Sequence, residues 1–321
     1  MNSFELLSEK FTLHFDKKHF PDEPSTLYAP NEYFLKLGGK RIRPVLALMG
    51  NELFDEINPD AWYAATAIEL FHNFTLIHDD IMDKAPLRRG METVHSKFGN
   101  STALLAGDVM LVRAYEYLNK ISQSHLRQIM TLFNKTATEV CEGQQLDMDF
   151  ETKENVEFDE YLYMITLKTS VALAASLKVG AMLGGAGERN QNLIYEFGKK
   201  LGIAFQVQDD YLDAFGDPGK FGKQLGGDIV ANKKTFLLIH AFENASSSQK
   251  NELLDLIRNN PADKVEKILN LFRATKADAW AIELKNKYLD EALAHLDDIA
   301  VLSKRKEPLR ELAYYLLKRQ H

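Results

Sequence analysis

The chain has one cysteine, Cys141, in 321 residues. An intrachain disulfide is therefore excluded, and a reducing, cytoplasmic setting is expected. Prolines number nine, and no proline- or serine-rich stretch divides the sequence, so nothing marks a linker. Basic residues are outnumbered, 39 Lys and Arg against 46 Asp and Glu, and the net charge of −7 argues against a nucleic-acid-binding surface. Long apolar runs are missing as well. The most membrane-like segment, residues 170–187, is cut by Lys178 and rich in Ala and Gly, which fits a closely packed buried helix better than a transmembrane segment. Residues 1–9 carry early acids and no apolar core, so no signal peptide is expected. GxSxG, CxxC, GxGxxG and GxxxxGK[ST] patterns are all absent, which removes support for serine hydrolase, thiol redox, dinucleotide and P-loop chemistry.

What is present is helical. Apolar residues recur at intervals of three and four almost throughout, and period-two alternation is scarce. Asn58 and Pro59 supply an N-cap and an N1 proline to a helix expected to run through Phe71, Phe74 and Ile77. A second long helix is expected from near Asn190, with Leu193, Phe197, Leu201, Phe205 and Leu212 on one stripe. Further helices are expected over 101–122, 125–148, 157–186, 247–258 and 275–303, while 215–232, rich in Gly, Asp and Lys, reads as a loop. The expected architecture is all-α, one large helical bundle over residues 1–321.

Two copies of one acidic pentad close the two long helices: Asp79-Asp80-Ile81-Met82-Asp83 and Asp209-Asp210-Tyr211-Leu212-Asp213. With 22 aspartates in the chain, about 0.1 match to DDxxD is expected by chance. Pro86 stops the first helix, and Gly216 and Pro218 the second, so both carboxylate trios fall near helix C-termini. There the macrodipole disfavours negative charge by about 0.3–1 kcal/mol per group, which points to a cation. Positions i and i+4 share a face, pairing Asp79 with Asp83 and Asp209 with Asp213. Such pairs suit Mg²⁺, which keeps water ligands and is completed by substrate phosphates. Far apart in sequence, the pentads share a site only if their helices pack into one bundle.

A diphosphate site also needs cations. Gly38-Gly39-Lys40-Arg41-Ile42-Arg43-Pro44 places three of them just before a helix, and Pro86-Leu87-Arg88-Arg89-Gly90 places two arginines just past the first pentad. Lys168, beside Thr169 in an apolar helix, and Lys223 and Lys233 after the second pentad are further candidates, although a lysine on an apolar stripe also snorkels. His72, two turns before Asp79, reads by itself as a hydrogen-bonded core histidine. His78, beside Asp79, has no His/Cys set at zinc spacing.

Together these segments resemble the trans-isoprenyl diphosphate synthases of the polyprenyl synthetase family. GGKRIRP, FHNFTLIHDDIMDKAPLRRG, LKTS, FQVQDDYLDAFGDPGKFGKQLGGD and NKKT follow in order from Gly38 to Thr235. The resemblance implies an all-α fold with both acidic motifs facing a central cavity, usually in a homodimer. It implies head-to-tail condensation of an allylic diphosphate (dimethylallyl, geranyl or farnesyl) with isopentenyl diphosphate. By the same resemblance Asp79, Asp80 and Asp83 grip the allylic diphosphate through Mg²⁺, and Asp209, Asp210 and Asp213 complete a trimetal cluster in which Mn²⁺ substitutes. Arg88 matches the allylic-diphosphate arginine. Lys40, Arg43, His72 and Arg89 match the isopentenyl diphosphate pocket, and Lys168, Thr169, Gln206, Lys223 and Lys233 line the allylic substrate. Ionisation of the allylic C–O bond leaves a carbocation and a diphosphate, so the site must stabilise the leaving charge. The Lys168 carbonyl, Thr169 and Gln206 offer dipoles to the cation. No side chain is an obvious base, and in this family the departing diphosphate is thought to take the proton.

Phe74 and Thr75, five and four residues before Asp79, fall where the family forms its tunnel floor. One aromatic at the fifth position resembles geranylgeranyl (C20) synthases, and aromatics at both resemble some farnesyl (C15) synthases. The expected product is C20, with C15 the alternative. A class I terpene cyclase and a non-catalytic subunit of a heteromeric prenyl synthase are the competing functions. Intact GGKRIRP and His72 argue against the first, and two complete pentads against the second.

Overall fold

The computed structural model describes residues 1–216 and 226–317. Among them, strand pairing is confined to a two-residue antiparallel hairpin, β1 (Leu87–Arg88) with β2 (Met91–Glu92), and the fold is all-α as expected. Contacts divide the chain into two compact units, Met1–Leu132 with Ser176–Gln191, and Phe133–Ala175 with Asn192–His321.

The first unit is organised by α4 (Pro59–Met82), which begins as its capping signal predicts. The Asn58 side chain accepts the Asp60 N–H at 2.9 Å, and Pro59 occupies N1. Ala61, Ala64, Ala65 and Ala67 are all fully buried, so neighbours approach α4 on several sides. Those neighbours are α1 (Phe4–Phe15), α3 (Ile42–Glu52), α5 (Val94–Phe98) and α6 (Asn100–Leu118), and α2 (Ser25–Lys36) packs on α6. The C-terminal half of α9 (Val171–Leu183) also belongs to this unit. At Gly180 an added Cβ would lie 1.9 Å from the Ala47 carbonyl oxygen, so α9 and α3 touch backbone to backbone. That is the close packing its small-residue composition predicts. The helical run Phe158–Leu183 is long and apolar enough to cross a membrane, but 61% of its most apolar window is buried within the protein, as in a core helix.

The second unit holds most of α7 (Gln123–Thr152), then α8 (Phe158–Ile165), a π-helical turn over Thr166–Ser170, and the start of α9. It continues with most of α10 (Glu188–Phe215), a short α11 (Gly227–Val230), α12 (Phe236–Asn244), α13 (Ser247–Asn259), α14 (Lys264–Ala274), α15 (Ala277–Asp297) and α16 (Ser303–Leu317). On α10 the expected stripe is only partly inward: Phe197, Leu201 and Leu212 are buried, while Leu193 and Phe205 are half-buried. Two expectations need correction. The helix read over 157–186 is interrupted, because the Val171 N–H bonds the Thr166 carbonyl five residues back and the register shifts. The segment 215–232, read as loop, contains α11 in its described part.

Candidate active site

In the first unit the site begins where α4 ends. Asp79 and Asp80 lie in its last turn and Asp83 is its C-cap, with the Asp83 N–H on the Asp79 carbonyl at 2.8 Å. The three carboxylates are not equivalent: Asp83 is exposed, Asp79 half-buried, and Asp80 buried at 1% exposure. Arg88 occupies Asp80, with Nε 2.9 Å from each oxygen and Nη2 2.7 Å from Oδ1. A carboxylate at the unfavourable end of the helix dipole is thereby neutralised by an arginine.

The hairpin makes this possible. Its turn residues Arg89 and Gly90 have φ of 54° and 77°, and the reversal sends the two arginines to different partners. Arg89 reaches Gly39, where an added Cβ would lie 3.0 Å from Nη2, so the two basic motifs meet. Within the first basic motif the three cations diverge. Arg41, left-handed at φ 51°, pairs with the buried Glu69 and lies over the Phe15 ring at 4.9 Å, which makes it an internal strut. Arg43 Nη1 donates to His72 Nε2 at 3.1 Å, so His72 carries its proton on Nδ1. Lys40 is exposed ahead of α3. Burial, then Arg43, Arg89, Arg88 and Arg41, hold the His72 imidazole well below its ordinary range, and it is neutral. Burial likewise pushes the Arg43 and Arg89 guanidinium groups down. Among the described residues neither of these two arginines is ion-paired, and an anion with several oxygens suits such a cluster.

Phe74 is buried between the rings of Phe71 at 5.8 Å and His78 at 4.8 Å. The Thr75 hydroxyl donates to the His72 carbonyl at 2.8 Å.

In the second unit the site is a cavity of about 230 Å³. Acids outnumber bases on its wall: Asp147, Glu151, Asp209, Asp210, Asp213 and Asp228 against Lys168, Lys233 and Lys234. The π turn brings in Lys168 and Thr169. At Gly143 an added Cβ would lie 2.3 Å from the Lys168 amide nitrogen, so α7 presses directly on that turn. One turn on, Asp147 Oδ2 takes Lys168 Nζ at 2.5 Å. Thr169 Oγ1 donates to Gln206 Oε1 at 3.2 Å, and Gln206 Nε2 donates to Asp210 Oδ1 at 2.8 Å. The Tyr161 hydroxyl donates to Asp210 Oδ2 at 2.5 Å. Burial, then the neighbouring Asp228, pushes the Asp210 carboxyl well above the ordinary carboxylate range. Asp213 Oδ2 accepts the Asp228 N–H at 3.0 Å, and Lys233 Nζ lies 3.8 Å from Asp228 Oδ1. Asp209 is half-buried on α10. Lys223 lies outside the described residues.

Among the described residues no three His, Cys, Asp or Glu gather tightly enough to hold a metal ion unaided. An excess of carboxylate oxygens, with neither thiol nor imidazole on this wall, nevertheless suits a hard cation that takes its remaining ligands from water and phosphate.

A family model described as polyprenyl synthetase matches residues 24–273. The chain belongs to the polyprenyl synthetase family. It is 38% identical over 302 residues to a geranylgeranyl diphosphate synthase of Methanosarcina mazei, covering 93% of this chain and 91% of that one. To a geranylfarnesyl diphosphate synthase of Natronomonas pharaonis it is 34% identical over 321 residues, with 93% and 92% covered. A solved geranylgeranyl pyrophosphate synthase matches with a TM-score of 0.95 at 42% identity, both chains covered in full. The protein is accordingly a trans-prenyltransferase that acts on isoprenoid diphosphates.

Among the wall residues outside the sequence candidates are Asp147 and Tyr161. Asp147 carries no local signal beyond its place one turn after Gly143, and nothing in the sequence pairs it with Lys168. Tyr161 reads as a core aromatic, because its ring is buried and only its hydroxyl meets Asp210.

Proposed function

We propose that the protein condenses isopentenyl diphosphate with allylic diphosphates to a C20 product, geranylgeranyl diphosphate. The observation that carries this reading is the chemistry that each unit gathers. One gathers Arg43, Arg88, Arg89 and a neutral His72 beside Asp79–Asp83; the other lines a cavity with carboxylates and the Lys168–Thr169–Gln206 set. Arg43, Arg89, His72 and Lys40 hold the isopentenyl diphosphate. Arg88, Lys168, Lys223 and Lys233 bind the allylic diphosphate.

Asp79, Asp83, Asp209 and Asp213 are the groups that would hold Mg²⁺, with Mn²⁺ as a substitute. Asp80 and Asp210 stand behind them, since protein donors already bond both oxygens of each. Mg²⁺ held there would supply positive charge to the departing diphosphate. Thr169 and Gln206 turn oxygen dipoles toward the allylic cation. Phe74 closes the way for the growing tail, which supports C20, as do the names of several relatives, although others are geranylfarnesyl synthases.

The test is incubation of purified protein with labelled isopentenyl diphosphate and each of dimethylallyl, geranyl and farnesyl diphosphate, read by product length. C20 should accumulate from all three primers. A C15 or C25 end product would overturn the assigned length, and no incorporation from any primer would overturn the reading itself.

A further inference from the structure

Tyr161 belongs neither to the diphosphate contacts nor to the metal-holding acids, yet its hydroxyl begins a chain of three hydrogen bonds that ends on the cavity wall. Tyr161 donates to Asp210 Oδ2, Gln206 Nε2 to Asp210 Oδ1, and Thr169 Oγ1 to Gln206 Oε1. The chain is ordered at Asp210: the phenol holds Oδ2 and so sets how the carboxyl is turned, which aims Oδ1 at Gln206. With Oδ1 accepting, Gln206 turns its amide nitrogen there and its carbonyl away. Thr169 must then give its single proton to that carbonyl, which leaves its lone pairs for the cavity. Lone pairs stabilise positive charge developing on an allylic fragment, whereas a hydroxyl proton aimed the same way opposes it.

We infer that Tyr161 is a positioning residue of the prenyl-transfer reaction: through Asp210 it sets the Gln206 amide and so aims the Thr169 oxygen into the cavity. The inference rests on the catalytic reading of that cavity. The plainer role, a ring filling the core beside Phe236 at 6.1 Å, needs the ring and not the hydroxyl.

Tyr161→Phe keeps the ring and removes the donor. It should lower kcat about 10- to 100-fold while leaving the KM of both diphosphates and the half-saturating Mg²⁺ concentration within about twofold. Because the effect travels through Thr169, Tyr161→Phe combined with Thr169→Val should be no slower than Thr169→Val alone. Asp210→Asn, whose amide reverses the chain, should lower kcat further than Tyr161→Phe, again at unchanged half-saturating Mg²⁺. Calorimetry of inorganic diphosphate with Mg²⁺ supplies a readout apart from turnover, and affinity in Tyr161→Phe should match the unmodified protein. Multiplicative losses in the double variant, an unchanged kcat in Tyr161→Phe, or a tenfold rise in the Mg²⁺ requirement of either variant would overturn the inference. Failure of the catalytic reading itself is distinguishable: the unmodified protein would then transfer no prenyl group and bind no diphosphate with Mg²⁺.

Discussion

His19 shows how completely partners can dictate one side chain. The Phe15 carbonyl, 2.9 Å from Nε2, can only accept, so Nε2 carries the proton and Nδ1 accepts from the Tyr117 hydroxyl at 2.9 Å. Burial, with Lys17, Arg113 and His14 nearby, lowers its pKa from 6.5 to about 4. The unfolded chain therefore binds more protons between those values, so this contribution is complete above pH 6.5 and is lost as the pH falls toward 4. Urea unfolding at pH 7.5 and 4.5 should show the stability advantage over His19→Gln shrinking by about 2–3 kcal/mol, and an advantage independent of pH would contradict the tautomer. Arg88 and Arg89 separate in the same way by their partners. Arg88→Ala strands the buried Asp80, so it should cost about 3–5 kcal/mol of stability as well as allylic affinity. Arg89→Ala should weaken isopentenyl diphosphate with little change in melting temperature. The sequence shows two adjacent arginines; only the hairpin, too short for any alternation signal, shows that one of them is already paired. Arg41 is the converse, a motif cation whose role as strut depends on Glu69 and Phe15, each far away in sequence.

Elements with strong terminal signals were legible, and those whose definition depends on a partner were not. Asn58-Pro59 announces α4, and the pentads mark the ends of α4 and α10. The π turn was hidden because a single inserted residue leaves the three-and-four spacing almost intact. Its cause lies on α7, where Gly143 admits the backbone of Lys168. Asp147 was missed with it for the same reason. At this scale Phe74 is the residue whose two roles can be told apart. Its contacts with Phe71 and His78 are those of a wall built on one helix face. Phe74→Ala should extend the product beyond C20, and the lost packing should cost up to about 3–5 kcal/mol. Product mass and melting temperature in that variant decide the matter, since unchanged length in a folded, active enzyme would reduce Phe74 to core filling.

For the molecule as a whole, the all-α class followed from periodicity, and the family from five motifs in order. The homodimer remains a proposal. It is supported by α6, which exposes Leu104, Leu105 and Val112 at 50%, 56% and 55% while Ala103, Ala106, Met110 and Ala114 are buried. Light scattering should give about twice the 36.5 kDa chain mass, and a monomer at working concentration would count against it. The central claim is that prenyl transfer requires divalent cations and the carboxylates of both acidic motifs. Its most direct measurement is prenyl-transfer turnover against free Mg²⁺ in the unmodified protein, in Asp79→Ala and in Asp209→Ala. Turnover should vanish in excess chelator and fall by about 100-fold or more in each variant, with helical circular dichroism retained. Full turnover in chelator, or in either variant, would contradict it.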